Sequence, residues 1–182
     1  MSIRNQNGNA VEQTVQPKTE VSFRSPAKKD GAAVWELIKH TGVLDLNSSY
    51  SYLMWCDIFS ETSIVATEDE NVCGFISGYI HPKKANTLFI WQVAVHESGR
   101  GKGLASRMLK ELLGRVACEK VQYLEATVSP SNVASTNLFK GLARSLETNC
   151  IITDYFTSTD FPQEGHEDEL LFKIGPIKKD KG

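Results

Sequence analysis

From Val93 to Ala105 the chain reads Val-Ala-Val-His-Glu-Ser-Gly-Arg-Gly-Lys-Gly-Leu-Ala. Gly99, Gly101 and Gly103 alternate with Arg100 and Lys102, and the apolar spacing becomes helical directly afterwards. Glycines there let the backbone approach a ligand and expose successive N–H groups. A helix start adds partial positive charge and the two cations add full ones, so the stretch suits a pyrophosphate. Spacing narrows the carrier. A Walker loop needs Ser or Thr after its lysine, whereas Gly103 follows Lys102. The dinucleotide fingerprint G-x-G-x-x-G also fails, because Ala105 and Ser106 follow where its last glycine should fall. On spacing alone, a glycine-rich helix entry with no ligand stays open.

A loop of this kind needs a scaffold, and the composition supplies one. The chain has 182 residues, with 20 Lys+Arg against 22 Asp+Glu, a formal charge of −2. At 41% hydrophobic and 23% charged it matches an ordinary globular domain long enough to bury a core. No apolar run approaches the roughly 20 residues of a membrane span, and Met1 to Glu20 lacks the apolar stretch of a secretory signal. The near-neutral balance argues against nucleic acid as the main partner. A cytoplasmic protein acting on small molecules is the expectation. Cys56, Cys73, Cys118 and Cys150 form no C-x-x-C pair, so reduced, buried thiols are expected. His40, His81, His96 and His166 make no metal-binding spacing, and no metal is expected.

Residues 1–19 are rich in Asn and Gln and hold no aromatic residue, which predicts a flexible tail. Residues 20–177 read as one domain and 178–182 as a frayed end. Within the domain the hydrophobic period keeps switching. Short strands are predicted at 21–23, 63–67 and 72–80, the last two joined by an acidic turn. Leu88–Val95, apolar apart from Gln92, reads as a central strand covered on both faces. Asp30 is placed to cap a helix bearing Val34, Leu37 and Ile38, and a second helix covers 50–59. From Gly103, Leu104, Met108, Leu112 and Val116 form one helical stripe. Strand 121–128, helix 132–144 and strands 150–156 and 169–174 complete an α/β (α+β) pattern, a mixed central sheet flanked by helices.

With these elements in place, Arg100-Gly101-x-Gly103-Leu-Ala resembles the acetyl-CoA signature of the GCN5-related N-acetyltransferases (GNAT). Asn132-x-Ala134-Ser135-x-x-Leu138-Phe139 resembles their second conserved segment, and the element order fits that acyl-CoA N-acyltransferase fold over most of the domain. The resemblance implies that Val93 and Val95 offer backbone groups to the pantetheine arm of acetyl-CoA. It implies that Arg100, Gly101, Lys102, Gly103, Leu104 and Ala105 wrap the pyrophosphate, and that Asn132 steadies the arm. Two positions depart from the pattern. Ser98 stands where Gln or Arg is usual, and Phe139 stands where many members carry a tyrosine that protonates the departing thiolate. A thiol of pKa about 8.5 leaves well enough that this loss need not be fatal.

Further segments, Thr41–Tyr50, Gly74–Tyr79, Thr87–Val95 and Gly165–Glu169, resemble the branch that acetylates L-2,4-diaminobutyrate on its γ-nitrogen in ectoine biosynthesis. That resemblance implies osmotic-stress physiology and favours a homodimer. Acetylation of such an amine requires its neutral form, and a pKa near 10.4 adds about 4–5 kcal/mol at neutral pH unless the site removes the proton. The α-amine is the more acidic, so attack by the γ-nitrogen has to come from positioning. Asp45 is the first candidate to hold the α-ammonium, with the Tyr50 hydroxyl beside it; Asp45 as a plain helix cap stays open. Trp91 walls the pocket or packs in the core. His166-Glu167-Asp168-Glu169 offers an ammonium ligand or base, with Glu169 and His166 favoured, or is a solvated turn. Tyr50, Glu169 and His166 are therefore the candidate catalytic groups, and Asp45, Tyr50, Trp91 and Glu169 the candidate substrate ligands. Glu125, inside an apolar strand, is a base or faces solvent. An acetyltransferase for another small amine or a peptide N-terminus, or a non-catalytic acetyl-CoA-binding module, are the alternatives.

Overall fold

The computed structural model describes residues 20–42, 44–162 and 164–178. The two predicted tails lie outside these, apart from Lys178, which is exposed. Seven strands, β1 (Ser22–Arg24), β2 (Ile64–Glu68), β3 (Asn71–Ile80), β4 (Thr87–Val95), β5 (Tyr123–Val128), β6 (Cys150–Phe156) and β7 (Glu169–Ile174), form one sheet in the order β1-β2-β3-β4-β5-β7-β6. Every pairing is antiparallel except β4 with β5. Helices α1 (Gly31–Thr41) and α2 (Ser49–Asp57) cover one face, while α3 (Leu104–Leu113) and α4 (Val133–Ser145) cover the other. The apolar side chains accordingly form two cores. One joins Met108, Leu109 and Leu112 of α3 and Leu142 of α4 to the sheet; the second joins Val34, Ile38, Tyr52 and Trp55 to Val65, Phe75 and Ala94.

Three local expectations are corrected. Asp30 does not cap α1 with its side chain. Its carboxylate takes both guanidinium nitrogens of Arg24 at 2.6 and 2.8 Å and the Ala27 N–H at 2.7 Å, stitching β1 to the turn before α1. The Arg24 hydrogen bond holds that carboxyl below the usual range, against the opposing effect of burial. Val116 does not continue the α3 stripe. The helix stops at Leu113, and Val116 stands 89% exposed in a 3-10 turn. The run Leu88–Val95 lies centrally between β3 and β5 with a core on each face, but it is not a regular strand. Ser77 pairs with Gln92 and Gly78 with Ile90, leaving Trp91 as the extra residue of a β-bulge.

That bulge inverts side-chain parity. Before it, Leu88 and Ile90 face the α3/α4 core; after it, Val93 and Val95 face that side and Ala94 faces α1/α2. Close packing fixes α3 over the sheet, since a Cβ on Gly74 would lie 2.8 Å from the Met108 sulfur.

Candidate active site

β4 and β5 pair only from Thr87 with Tyr123 to Ile90 with Ala126. Beyond the bulge they part, which leaves a gap inside the sheet. His96 N–H bonds the Cys73 carbonyl across β3. Because strand backbone groups alternate in direction, Val93 and Val95 turn theirs to the opposite side, where β5 has moved away. A cleft of about 620 Å³ occupies this region, walled by Trp91, Val93, Thr127, Ser129 and Phe139 among others.

Past β4 the chain makes the glycine loop. Gly101 and Gly103 both adopt φ +72°, a left-handed backbone natural to glycine. Gly103 is the residue before α3, which has no side-chain cap, so the first-turn N–H groups lack intrahelical acceptors. The Ser98 hydroxyl is 2.8 Å from His96 Nδ1, so this shorter side chain stabilises the turn instead of reaching outward. Arg100 Nε donates to the Val95 carbonyl at 3.2 Å. Of the predicted cofactor residues, Val93 and Asn132 line the cleft, and Val95 and Arg100 border a smaller depression of about 400 Å³ beside α1. Gly101, Lys102, Gly103, Leu104 and Ala105 line neither; Leu104 buries its side chain in the core, leaving its backbone as the group it can offer. Asn132 caps α4, its Oδ1 accepting from Ser135 N–H at 3.0 Å, so only its amide NH₂ is left for a ligand.

The cleft gathers Asp45, Trp91, His166 and Glu169. Asp45 is not a helix cap: Ser48 holds that position in α2, its hydroxyl bonded to that of Ser51 and not to a helix N–H. Trp91 is 53% exposed, tilted against Trp55 at 6.0 Å between ring centroids, so it is a wall and not a core residue. The acidic cluster is only partly a solvated turn. Glu167 accepts the Ser131 N–H at 3.0 Å and Asp168 the Ser158 N–H at 2.7 Å, each tying one loop to another. The Ser131 bonds hold the exposed Glu167 carboxyl below its ordinary range. Glu169 accepts from the Ser129 hydroxyl at 2.9 Å, and His166 stacks on Phe161 with centroids 3.6 Å apart.

Tyr50 is set apart. It is 68% exposed and absent from the cleft wall, because α2 turns Tyr52, Trp55 and Cys56 inward and places Tyr50 on the outer side. Glu125 is also elsewhere: it is 2% exposed, outside the cleft, and both its oxygens accept from Lys84 Nζ at 2.9 Å. Sequence reasoning missed Tyr79, Tyr155, Phe156 and Phe161, which line the cleft with aromatic surface. Burial, with the neighbouring Tyr155, pushes the Tyr79 hydroxyl up, so it stays a donor at neutral pH. Gln92 carried a signal as the single polar residue in an apolar run.

A bulged strand parting from its parallel neighbour, then a glycine turn into a helix, is an arrangement for an extended phosphorylated ligand. Residues 32–143 match the acetyltransferase (GNAT) family. The chain belongs to that family. This acetyltransferase is 64% identical over 154 residues to the L-2,4-diaminobutyric acid acetyltransferase of Virgibacillus pantothenticus, covering 85% of this chain and 97% of the relative. Its identity to the Shouchella clausii enzyme of the same name is 44% over 178 residues, covering 98% and 99%. Among solved structures it resembles diaminobutyrate acetyltransferase EctA from Paenibacillus lautus, in complex with its substrate L-2,4-diaminobutyric acid and coenzyme A. That match has a TM-score of 0.85 at 45% identity, over 90% of this chain and 99% of that one. Among the described residues, the GNAT chain has no helix long and apolar enough to cross a membrane, and no cluster of three or more His, Cys, Asp or Glu able to hold a metal.

Proposed function

We propose that this acetyltransferase moves the acetyl group of acetyl-CoA to the γ-nitrogen of L-2,4-diaminobutyrate, giving N4-acetyl-L-2,4-diaminobutyrate and CoA in ectoine biosynthesis. The observation that carries the reading is one cleft, opened where β4 parts from β5, that gathers both sets of residues. Its walls carry Val93 and Asn132 from the cofactor set and Asp45 and Glu169 from the substrate set, and the chain runs from the open edge of β4 into the glycine turn with Arg100 and Lys102. The identities to diaminobutyrate acetyltransferases support the choice of amine.

In this reading Val93 and Val95 hold the pantetheine arm by backbone hydrogen bonds, with Val95 exchanging its Arg100 contact for the ligand. Arg100 to Ala105 hold the pyrophosphate at the start of α3, and the Asn132 amide steadies the arm from the far side. Asp45 has no hydrogen bond or ion pair of its side chain among the described residues, so its carboxylate is free to clamp the α-ammonium. Trp91 closes the wall beside it. Glu169, held by Ser129, and His166, stacked on Phe161, are the groups assigned here to take the γ-ammonium proton. The neutral nitrogen then attacks the thioester directly; the C–N bond forms, the C–S bond breaks, the nitrogen's second proton passes to the departing thiolate or to water, and no acyl-enzyme intervenes. Phe139 is buried against Phe172 and has no proton to give, so the thiolate departs on its own low basicity. Tyr50, exposed on the outer side of α2, does not line this cleft, and no proton transfer is assigned to it here.

The catalytic unit spans 20–177, and we place it in the cytoplasm, where acetyl-CoA is made and cysteine thiols stay reduced. A homodimer serving osmotic-stress physiology is part of the proposal. Exposed Ile151 and Ile152 on the edge strand β6 are apolar surface outside the cleft that a second copy would cover. The test is thiol release from acetyl-CoA by the purified protein across a panel of diamines, with NMR of the product. Release with diaminobutyrate and a γ-acetyl product is expected. No release with this substrate while another amine turns over well, or none with any amine, would overturn it.

A further inference from the structure

Gln92 is 7% exposed on β4, directly after the bulge at Trp91. A buried amide costs stability unless its polar atoms find partners, and here the Asp45 segment takes its nitrogen and Tyr52 its oxygen. Gln92 Nε2 donates to the Asp45 carbonyl at 2.9 Å. Its Oε1 accepts a long 3.4 Å bond from the hydroxyl of fully buried Tyr52. The same hydroxyl accepts the Asn47 N–H at 3.3 Å, and the Gln92 N–H itself donates to the Ser77 hydroxyl at 3.1 Å. Residues 45 and 47 are thus held to the sheet through their backbones. The Asp45 carboxylate takes no part and is left free toward the cleft.

The bulge is what makes this possible. Were the same residues to alternate regularly with no bulge at Trp91, Gln92 would share the parity of Leu88 and Ile90 and point into the α3/α4 core, away from Asp45. We propose that Gln92 is a positioning residue: through its amide, backed by Tyr52, it fixes the Asp45 segment at the depth where the α-ammonium is held and only the γ-nitrogen reaches the thioester. The inference rests on the reading of Asp45 as the ammonium clamp. It extends that reading from the group that touches substrate to the one that sets its distance. An apolar side chain would fill the same space but leave the segment unregistered.

The experiment compares wild type, Gln92→Leu, Tyr52→Phe, Asp45→Ala and the Gln92→Leu/Asp45→Ala double variant. It reads KM for diaminobutyrate, kcat, the CoA dissociation constant and the ratio of α- to γ-acetylated product. Gln92→Leu is expected to raise KM for the diamine by about 5- to 30-fold, the effect of losing one or two hydrogen bonds. An α-acetylated product should appear while CoA binding stays within twofold. Tyr52→Phe keeps the amide bond to Asp45 and should show the same changes at a few-fold level. In the double variant the Gln92 change should add nothing to Asp45→Ala, because both act through one carboxylate. Additive KM effects, or an unchanged KM and product ratio in Gln92→Leu when Asp45→Ala raises KM, would overturn the positioning role and leave the function intact. An unchanged KM in Asp45→Ala would overturn the clamp together with the positioning role. Failure of the wild type to acetylate diaminobutyrate would instead sink the functional reading. Tyr52→Phe, which removes one oxygen, keeps the test usable should Gln92→Leu fold poorly.

Discussion

Replacing Gly103 with alanine isolates the backbone conformation that opens α3. The residue sits at φ +72°, ψ 13°, and a Cβ built there meets no heavy atom within 4 Å. Packing therefore contributes nothing to the cost. What remains is the left-handed conformation itself, about 1–2 kcal/mol for a residue with a Cβ. Two routes divide that cost. If the turn keeps its shape, the protein loses stability by that amount. If the turn relaxes, the first-turn N–H groups swing off the pyrophosphate, and CoA affinity drops by about 5- to 30-fold at most. The loss in unfolding free energy plus the loss in CoA binding free energy should therefore total about 1–2 kcal/mol. Asn, which tolerates this region better, should show a smaller total. Urea unfolding measures the first quantity and calorimetric titration with CoA the second. Gly103→Ala with an unchanged unfolding midpoint and unchanged CoA affinity would refute the reasoning. So would a total far above 2 kcal/mol, which would require a steric contact that the structure does not have.

Two other perturbations test the scaffold. Lys84→Met strands the Glu125 carboxylate, buried on β5 with both oxygens on that one ammonium. We expect a loss of about 2–3 kcal/mol in urea unfolding, less than for a fully enclosed pair because Lys84 is half exposed. Adding Glu125→Leu should recover part of it, and a loss under about 0.5 kcal/mol in the single variant would contradict the assignment. Cys56 is buried, and desolvation, with Asp30 nearby, pushes its thiol up to about 12. Its folded pKa is raised, so the unfolded thiol ionises first. The stability tied to it is full below about pH 8.5 and falls above that by up to about 1.4 kcal/mol per pH unit. Ellman's reagent at pH 8 should label Cys56 only as fast as the protein opens, and immediate labelling of the native chain, mapped by mass spectrometry, would count against this.

Much of the architecture was legible because its causes are local. β6 and β7 fall at the predicted bounds, since alternation and flanking polar residues mark both ends. The glycine turn was legible for the same reason: a left-handed backbone is written in the residue type. Other features were hidden by competition between equally plausible partners. Asp30 had the position of a cap, but Arg24 outbid the helix N–H groups for its carboxylate. Val116 kept the helical spacing, yet the chain had already left the helix at Gly114. The bulge at Trp91 lay inside an apolar run, where period-two parity leaves no trace. Tyr50 and Tyr52 are both tyrosines before an apolar stretch, and only the orientation of α2 separates the buried hydroxyl from the exposed one.

By itself the sequence determined the chemistry of the proposed cofactor loop: glycines, two cations and a helix start within one short segment, where spacing along the chain is also spacing in space. The tertiary structure alone decided where the candidate carboxylates meet. Asp45 precedes α2 and Glu169 opens β7, and they reach one cleft only because β7 inserts between β5 and β6 while β4 parts from β5. Strand order and the break in a parallel pairing are set by hydrogen bonds between segments distant in the chain. No local pattern encodes them, and so the carboxylates were visible as candidates while their meeting place was not.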